Sequence, residues 1–401
     1  LILNQQTDIE RSNHDVRSRH DPIPGGSVAP NEELNRFDRI IVCMDNDKAG
    51  QDAVDKIFPC VPKDKLFVMS LELKDPNEYL VQGKEREFVN CFYKASPYVP
   101  VGLKGSGSLI SAIREHALIE KIPLPPFMHK VQKMMAGGIP LGVIVNLISS
   151  SGTGKSTIVD EIVYHWIFNS PYKLGILSLE SDSGEYGTKL LSRHVGRKIN
   201  LIENIDDKIE FLDSDFVREK EKELFIDEHG QDRFILLDDR DGNVDTIQDA
   251  VEKMIVQMDC KVIVCDPLQD IIACLPDDEQ NKFMSWQKGL LKSHGVTFFN
   301  VNHTKKALTG GGAGSQGVDL VEEDSHGSSS IYKSAACNML FGRNKEAEDP
   351  IVRNTTHMKV SKMRWTGNTS PFAGKYFYDN ATHTLHDYDD WMTKHPELSE
   401  F

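Results

Sequence analysis

With 401 residues, of which 39% are hydrophobic and 27% charged, the chain can bury the cores of two or three domains and has an ordinary globular composition. No apolar run approaches the length of a membrane span, and the opening LILNQQTDIERSNHD lacks the basic and apolar regions of a signal peptide, so a soluble, non-secreted, non-membrane protein is expected. A net charge of −15 disfavours non-specific attraction of the whole surface to nucleic acid, so any such binding must rest on a local basic patch. Seven cysteines, odd in number and without a CxxC pair, argue against a zinc ribbon and for a reducing compartment.

The chain opens on Leu and runs directly into a polar stretch, as a fragment of a longer protein would. Residues 1–35 are turn-rich and receive no assignment. Residues 39–44, RIIVCM, read as a buried strand, followed by DNDKAG and a helix through about Ile57. A second strand over 65–70 leads to KDPNEYL. Asp45 and Asp47, two residues apart at a strand's carboxyl end, offer oxygen ligands for magnesium, whereas Asp47 alone could simply cap the helix. Together DNDKAG and KDPNEYL resemble the second half of a Toprim domain, and the resemblance implies an acidic cluster of Asp45, Asp47 and Asp75. The glutamate that Toprim catalysis uses on an earlier strand has no counterpart in residues 1–35, and the zinc-binding and template-reading parts of a primase are absent. Primer synthesis is therefore not expected of this chain.

Residues 95–108, ASPYVPVGLKGSGS, have a linker's composition. Leu109, Ile110, Ile113 and Ala117 then mark one face of a short helix, which must bury that face on its own domain or on another copy. Pro123 to Pro126 close this segment, and residues 134–140 turn into the next strand.

The motif around which the chain is organised is LGVIVNLISSSGTGKSTIVDEIVYHWIF, residues 141–168. Residues 143–148 are a short β-branched run, the signature of a strand buried on both faces of a parallel sheet. Small residues follow, and then Ile158, Val159, Ile162, Val163, Trp166 and Ile167 recur at helical spacing until Asn169-Ser170-Pro171. A strand, a small-residue loop and a helix start bring backbone N–H groups onto phosphate oxygens. The nucleotide-binding set is Ser151, Gly152, Thr153, Gly154, Lys155, Ser156 and Thr157. Lys155 serves the β- and γ-phosphates and Ser156 the magnesium ion. Ser149 stands where such loops usually open with Gly.

Residues 174–179 form another buried strand, ending on Glu180, a carboxylate placed to orient the attacking water; Glu185 is the alternative, and either could instead cap a helix. The charged segment 203–232 reads as surface helix and loop, and 234–237 as a strand. Ile247, Ala250, Val251, Met254, Ile255 and Met258 form a core-facing helical stripe. Residues 261–266, KVIVCD, read as a Walker B strand whose Asp266 holds magnesium opposite Ser156. A fifth strand over 296–301 ends near His303, the candidate γ-phosphate sensor or else a structural histidine.

Lys305 and Lys306 open a Gly-rich stretch, 310–317, that suits either a finger on a phosphate backbone or a disordered linker, and Lys333 is a further candidate DNA contact. Residues 357–366 read as a strand on which Lys362 and Arg364 share a face, making Arg364 an arginine finger in trans or a solvated edge charge.

In order and spacing, DNDKAG, KDPNEYL, SSSGTGKST, SLE, CDP, NHTKK, KMRWTGNTS and AGKYFYDN resemble the primase-helicases of podoviruses, relatives of mitochondrial Twinkle and bacterial DnaB. The resemblance runs from about Asn31 to the end. It implies an α/β fold: a RecA-like P-loop NTPase core with a mainly parallel sheet, preceded by a partial Toprim domain (1–94) and a linker helix (95–125), with the core over 126–386 and an acidic tail over 387–401. It also implies Mg2+ with ATP or dTTP, a hexameric homo-oligomer on single-stranded DNA, 5′ to 3′ translocation, and the cytoplasm of a phage-infected cell. In such helicases the linker helix docks on the neighbouring subunit. The tail, with Trp391 and Phe401, resembles one that docks a replicative DNA polymerase, although solvated disorder is the simpler expectation. The alternative is a RecA-type recombinase or regulatory DNA-dependent ATPase without unwinding activity.

Overall fold

The computed structural model describes residues 32–62, 64–99, 103, 105–150, 152–238, 243–304, 321, 325–380 and 384–396. The chain divides into two compact units, residues 1–118 and 119–401. Among the described residues no helix is long and apolar enough to cross a membrane.

In the first unit, β1 (Ile40–Val42) lies parallel to β2 (Leu66–Val68), which pairs antiparallel with β3 (Ser96–Pro97). Side chains alternate across a strand. Ile40 and Val42 therefore join Val54 of α1 (Lys48–Ile57) on one face, while Ile41 joins Tyr79 of α2 (Pro76–Val81) and Cys91 of α3 (Glu85–Tyr93) on the other. Residues 96–97 thus belong to this sheet and not to a linker. The helix α4 (Leu109–Ala117) forms as its spacing predicts, with no buried residue.

Among the described residues the second unit is built on a nine-stranded sheet. Its strands are β4 (Ile144–Ser149), β5 (Leu174–Ser178), β6 (Phe234–Leu237), β7 (Val262–Asp266), β8 (Thr297–His303), β9 (Cys337–Arg343), β10 (Thr355–Met363), β11 (Ser370–Asp379) and β12 (Thr384–Asp387), in the order β12-β11-β10-β9-β4-β8-β7-β5-β6. The six strands from β9 to β6 are parallel, and β10 to β12 extend the sheet antiparallel. Every residue of β4 is buried, as befits a strand covered on both faces. One face is covered by α6 (Lys155–Asn169), which contributes Ile158, Val159, Ile162, Val163 and Trp166, each worth about 1.5–3 kcal/mol on burial. The other is covered by α10 (Val244–Val256) and α12 (Asp277–His294) through Ile247, Val251, Met254, Phe283 and Met284. Met258, expected in that stripe, lies beyond the end of α10 and is exposed.

Shorter helices complete the unit: α5 (His129–Met134), α7 (Ser183–His194), α8 (Ile205–Asp213), α9 (Asp215–Phe225), α11 (Leu268–Ile272), α13 (Ser330–Ser334), α14 (Pro350–Arg353) and α15 (Tyr388–Lys394). The segment 203–232 forms α8 and α9 as expected, although Val217 and Leu224 are core residues.

Three sequence expectations change. Ile122 and Leu124 are buried in this core, and Ile122 bridges to Ile139, so the linker ends near residue 118, before 125. The strand expected over 357–366 ends at Met363, with Arg364 in the turn beyond it. Residues 387–394 are not a solvated tail: Asp387 caps α15, Lys130 bonds Asp387 and Asp389 at 2.9 and 2.6 Å, and Trp391 stacks on Phe377. Trp391 is thereby committed to the domain, and Phe401 lies outside the described residues.

Candidate nucleotide-binding site

The site forms where the parallel strands end. β4 delivers the chain at Ser149 into the loop that precedes α6, and Gly152 and Gly154 adopt φ of 76° and 88°. Only glycine takes up such a conformation without strain, so the two glycines let the backbone wrap inward at a helix N-terminus, an anion-binding arrangement. Thr153 Oγ1 donates to the Ser150 carbonyl at 2.8 Å and holds the loop closed. Ser156 and Thr157 occupy the first turn of α6; Ser151 lies outside the described residues.

Lys155 is 6% exposed. Burial lowers its pKa, opposed by the carboxylates of Asp266, Glu180 and Asp270. Its Nζ lies 2.8 Å from His303 Nε2, which is 3.6 Å from Glu180 Oε1. Register explains the convergence, because Ser149 pairs with His303 and Ser178 with Asp266, so these strands end together. Burial and the Lys155 charge both lower the His303 pKa, and Glu180 opposes them. A loop-helix lysine, the end of β5 and the end of β8 are thus brought to one point. Glu185 instead pairs with Lys189 at 2.8 Å.

Asp266 ends β7 with a buried Oδ1 that has no hydrogen-bond partner among the described residues, and burial raises its pKa to about 7. An orphaned carboxylate oxygen beside the loop lysine fits a cation. Ser156 and Asp266 would hold magnesium brought with the nucleotide.

The sequence left other residues of this site unread. Gln269, on α11, accepts the His303 backbone N–H at 3.0 Å and donates to Asn302 Oδ1 at 3.3 Å. Thr304 bridges to Ser325, and His326 N–H donates to the His303 carbonyl at 2.8 Å. His303 therefore sits at the base of segment 305–324. Lys305, Lys306 and the Gly-rich stretch lie outside the described residues. Arg343 and Lys345, at the end of β9, face the loop: a Cβ on Gly152 would lie 3.2 Å from Lys345 Nζ, and one on Gly154 3.6 Å from Arg343 Nη1. The strand-like run CNMLFGR was a usable signal, but its place beside β4 follows from sheet order alone.

Arg364 and Lys362 lie elsewhere. The Arg364 N–H donates to Ala336, and Ala336 N–H to Ile144 at the start of β4. The P-loop leaves from Ser149, five residues and about 16 Å further along the strand. A bulge interrupts β10 between Val360 and Lys362. Lys362 Nζ and Arg364 Nη2 nonetheless converge, each 3.0 Å from the Lys333 carbonyl. Lys333 itself is exposed, its Nζ donating to Ser329 Oγ at 3.1 Å.

The Toprim acids do not assemble into a metal centre. Asp47 caps α1 through Gly50 N–H at 2.8 Å, and Asp75 caps α2 through Glu78 N–H at 2.9 Å. Asn46 N–H donates to Lys74 and ties the two loops together. A Cβ on Gly50 would collide with the Asp45 carbonyl at 2.1 Å, which accounts for the glycine of DNDKAG. Among the described residues no three His, Cys, Asp or Glu side chains are grouped to hold a metal ion.

Comparison with known proteins agrees with this architecture. Residues 124–308 match the family described as AAA domain and residues 28–80 the family described as Toprim-like. A DNA helicase/primase of Enterobacteria phage T3 is 26% identical over 358 residues, covering 88% of this chain and 61% of the relative. The chain thus spans about six tenths of the length of that curated relative. A solved structure described as an ATPase domain superposes with a TM-score of 0.53 at 14% identity, covering 71% of this chain and 99% of that one. A KaiC-like protein of Pyrococcus horikoshii, at a TM-score of 0.41 and 15% identity over 67% of this chain and 98% of its own, adds nothing to the assignment. The chain is a distant relative of the phage primase/helicase family, with an α/β P-loop NTPase core of AAA type preceded by a Toprim-like domain and a linker region.

Proposed function

We propose that this chain is the motor portion of a phage replicative DNA helicase, a ring, most simply a hexamer, that moves 5′ to 3′ on single-stranded DNA by hydrolysing ATP or dTTP. The observation that carries this reading is the convergence of Lys155, His303 and Glu180 beside the orphaned oxygen of Asp266.

In this reading Lys155 leaves His303 for the β- and γ-phosphates when a nucleotide enters. Ser156 and Asp266 would hold magnesium, which would supply positive charge against the phosphates. Glu180, at the mouth of the site, orients the attacking water. His303 contacts the γ-phosphate, and its departure is passed through Gln269 and the Thr304–Ser325 bridge to the segment that carries Lys305 and Lys306. Those lysines, with Lys333, hold the DNA phosphates.

Arg364 is too far along the sheet from its own P-loop to complete that site, which supports its action on a neighbouring copy. The unburied Leu109, Ile110 and Ile113 of α4 support docking between copies as well. Primer synthesis is not part of the function proposed for the Toprim-like unit of this chain.

The test is NTP hydrolysis with and without single-stranded DNA, together with unwinding of a forked duplex, for the parent chain and Lys155→Ala. DNA-stimulated hydrolysis with unwinding, both lost in Lys155→Ala, is the expected result. Stimulated hydrolysis with strand pairing and no unwinding would move the assignment to a recombinase-type ATPase.

A further inference from the structure

We infer that Lys345 is a second phosphate-binding lysine of the nucleotide site, contacting the α- or β-phosphate of a nucleoside di- or triphosphate at the opening half of the loop. The inference rests on reading that loop as a nucleotide site. β9 runs parallel to β4 with Phe341 opposite Ser149, so residues 342–345 leave the sheet where the loop leaves it. Lys345 Nζ lies 3.2 Å from where a Gly152 Cβ would be. Gly152 has a φ of 76°, which glycine adopts without strain, and its open side faces the lysine tip.

The neighbouring Arg343 fixes the direction of this turn. Its Nε donates to the Arg353 carbonyl at 2.6 Å, and burial lowers its pKa. Asn344 Oδ1 accepts the Glu346 N–H at 3.2 Å and turns the chain back, leaving Lys345 over the loop. Among the described residues neither Arg343 nor Lys345 makes an ion pair with a carboxylate. An ammonium group beside an anion-binding loop, with no carboxylate paired to it among the described residues, is an arrangement that a phosphate completes. Lys155 lies on the other side, with His303 and Glu180, at the end where the bond breaks. Lys345 therefore serves the phosphates common to substrate and product.

The experiment is calorimetric titration of ATP and ADP, with magnesium, into the full chain and into Lys345→Ala, Lys345→Gln and Lys345→Arg, with thermal melts to check folding. Loss of one charge-assisted contact is expected to weaken ATP and ADP alike by about tenfold in the Ala and Gln variants, with most of the affinity kept in the Arg variant. Lys345 is exposed, and its variants should melt as the parent does. Affinities within about twofold of the parent for both nucleotides would overturn the inference, as would loss for ATP alone, which would put Lys345 at the γ-phosphate. A parent chain that binds neither nucleotide overturns the proposed function itself, a result distinct from either of these.

Discussion

The carbonyl oxygen of Lys333 accepts a 3.0 Å hydrogen bond from Arg364 Nη2, and a second from Lys362 Nζ at the same distance. A candidate DNA contact and a candidate arginine finger are thereby joined through one backbone carbonyl, near the start of β4 and away from their own P-loop. Arg364→Ala should lower DNA-stimulated hydrolysis by about 10³-fold while nucleotide binding persists. Mixing Arg364→Ala with Lys155→Ala chains should recover part of the activity, since some interfaces then pair an intact P-loop with an intact arginine. A mixture no more active than its components would show that Arg364 does not act in trans.

Glu180 is half-exposed, with its Oε1 3.6 Å from His303 Nε2. If it orients water, Glu180→Gln should cut turnover by about 10²- to 10⁴-fold while leaving nucleotide affinity near the parent value. Single-turnover hydrolysis beside equilibrium titration separates the two. Equal losses in both would indicate a binding role.

Gln269 ties the His303 backbone to α11. Gln269→Ala leaves that N–H without its partner, at a cost of about 1–3 kcal/mol of local stability. Hydrolysis without DNA should fall less than the stimulation by DNA, because the lost tether lies between the site and the segment after Thr304. An unchanged ratio of stimulated to unstimulated rates would remove Gln269 from that path.

The C-terminal helix is held by a buried carboxylate. Asp387 accepts Lys130 Nζ at 2.9 Å and also the Asp389 and Asp390 N–H groups at the start of α15. Asp387→Ala removes the helix cap, worth about 0.5–2 kcal/mol, and leaves Lys130 with Asp389 as its one carboxylate partner among the described residues. A clear fall in melting temperature is expected. A melt coincident with the parent would mean that α15 contributes nothing to the stability of this unit.

Stability should also fall in mild acid. Burial lowers the pKa of His165, and of His194, where Glu223 opposes the effect. Both bind a proton less readily folded than unfolded, so their contribution is fully present above the unfolded histidine pKa of about 6.5 and is lost as the pH drops through the depressed folded values. Denaturant melts at about pH 8 and about pH 5.5 should show this loss, and the His165→Gln/His194→Gln variant should show less of it. An undiminished loss in the double variant would assign the pH dependence to other groups.

Local order was legible in the chain because its cause is local. The β-branched run before Ser149, the glycines at 152 and 154 and the 3.6-residue period of α6 act over neighbouring residues, and the strand ending at Asp266 is declared by its own apolar run. The distance of Arg364 from its own P-loop, the approach of Lys345 to Gly152 and the bond from Gln269 to His303 were not legible. Each depends on strand order in a sheet where β9 inserts between β4 and β10, far apart in sequence. The same limit explains the Toprim acids: spacing offered Asp47 and Asp75 either to a metal or to helix caps, and only the packed loops committed both to N–H groups. The sequence by itself determined a phosphate loop and the strand ends that serve it, since these follow from short-range sterics and periodicity. Which side chains share that site, and which are held about 16 Å away, was decided by the tertiary structure, because register across a sheet is set by burial summed over both of its faces.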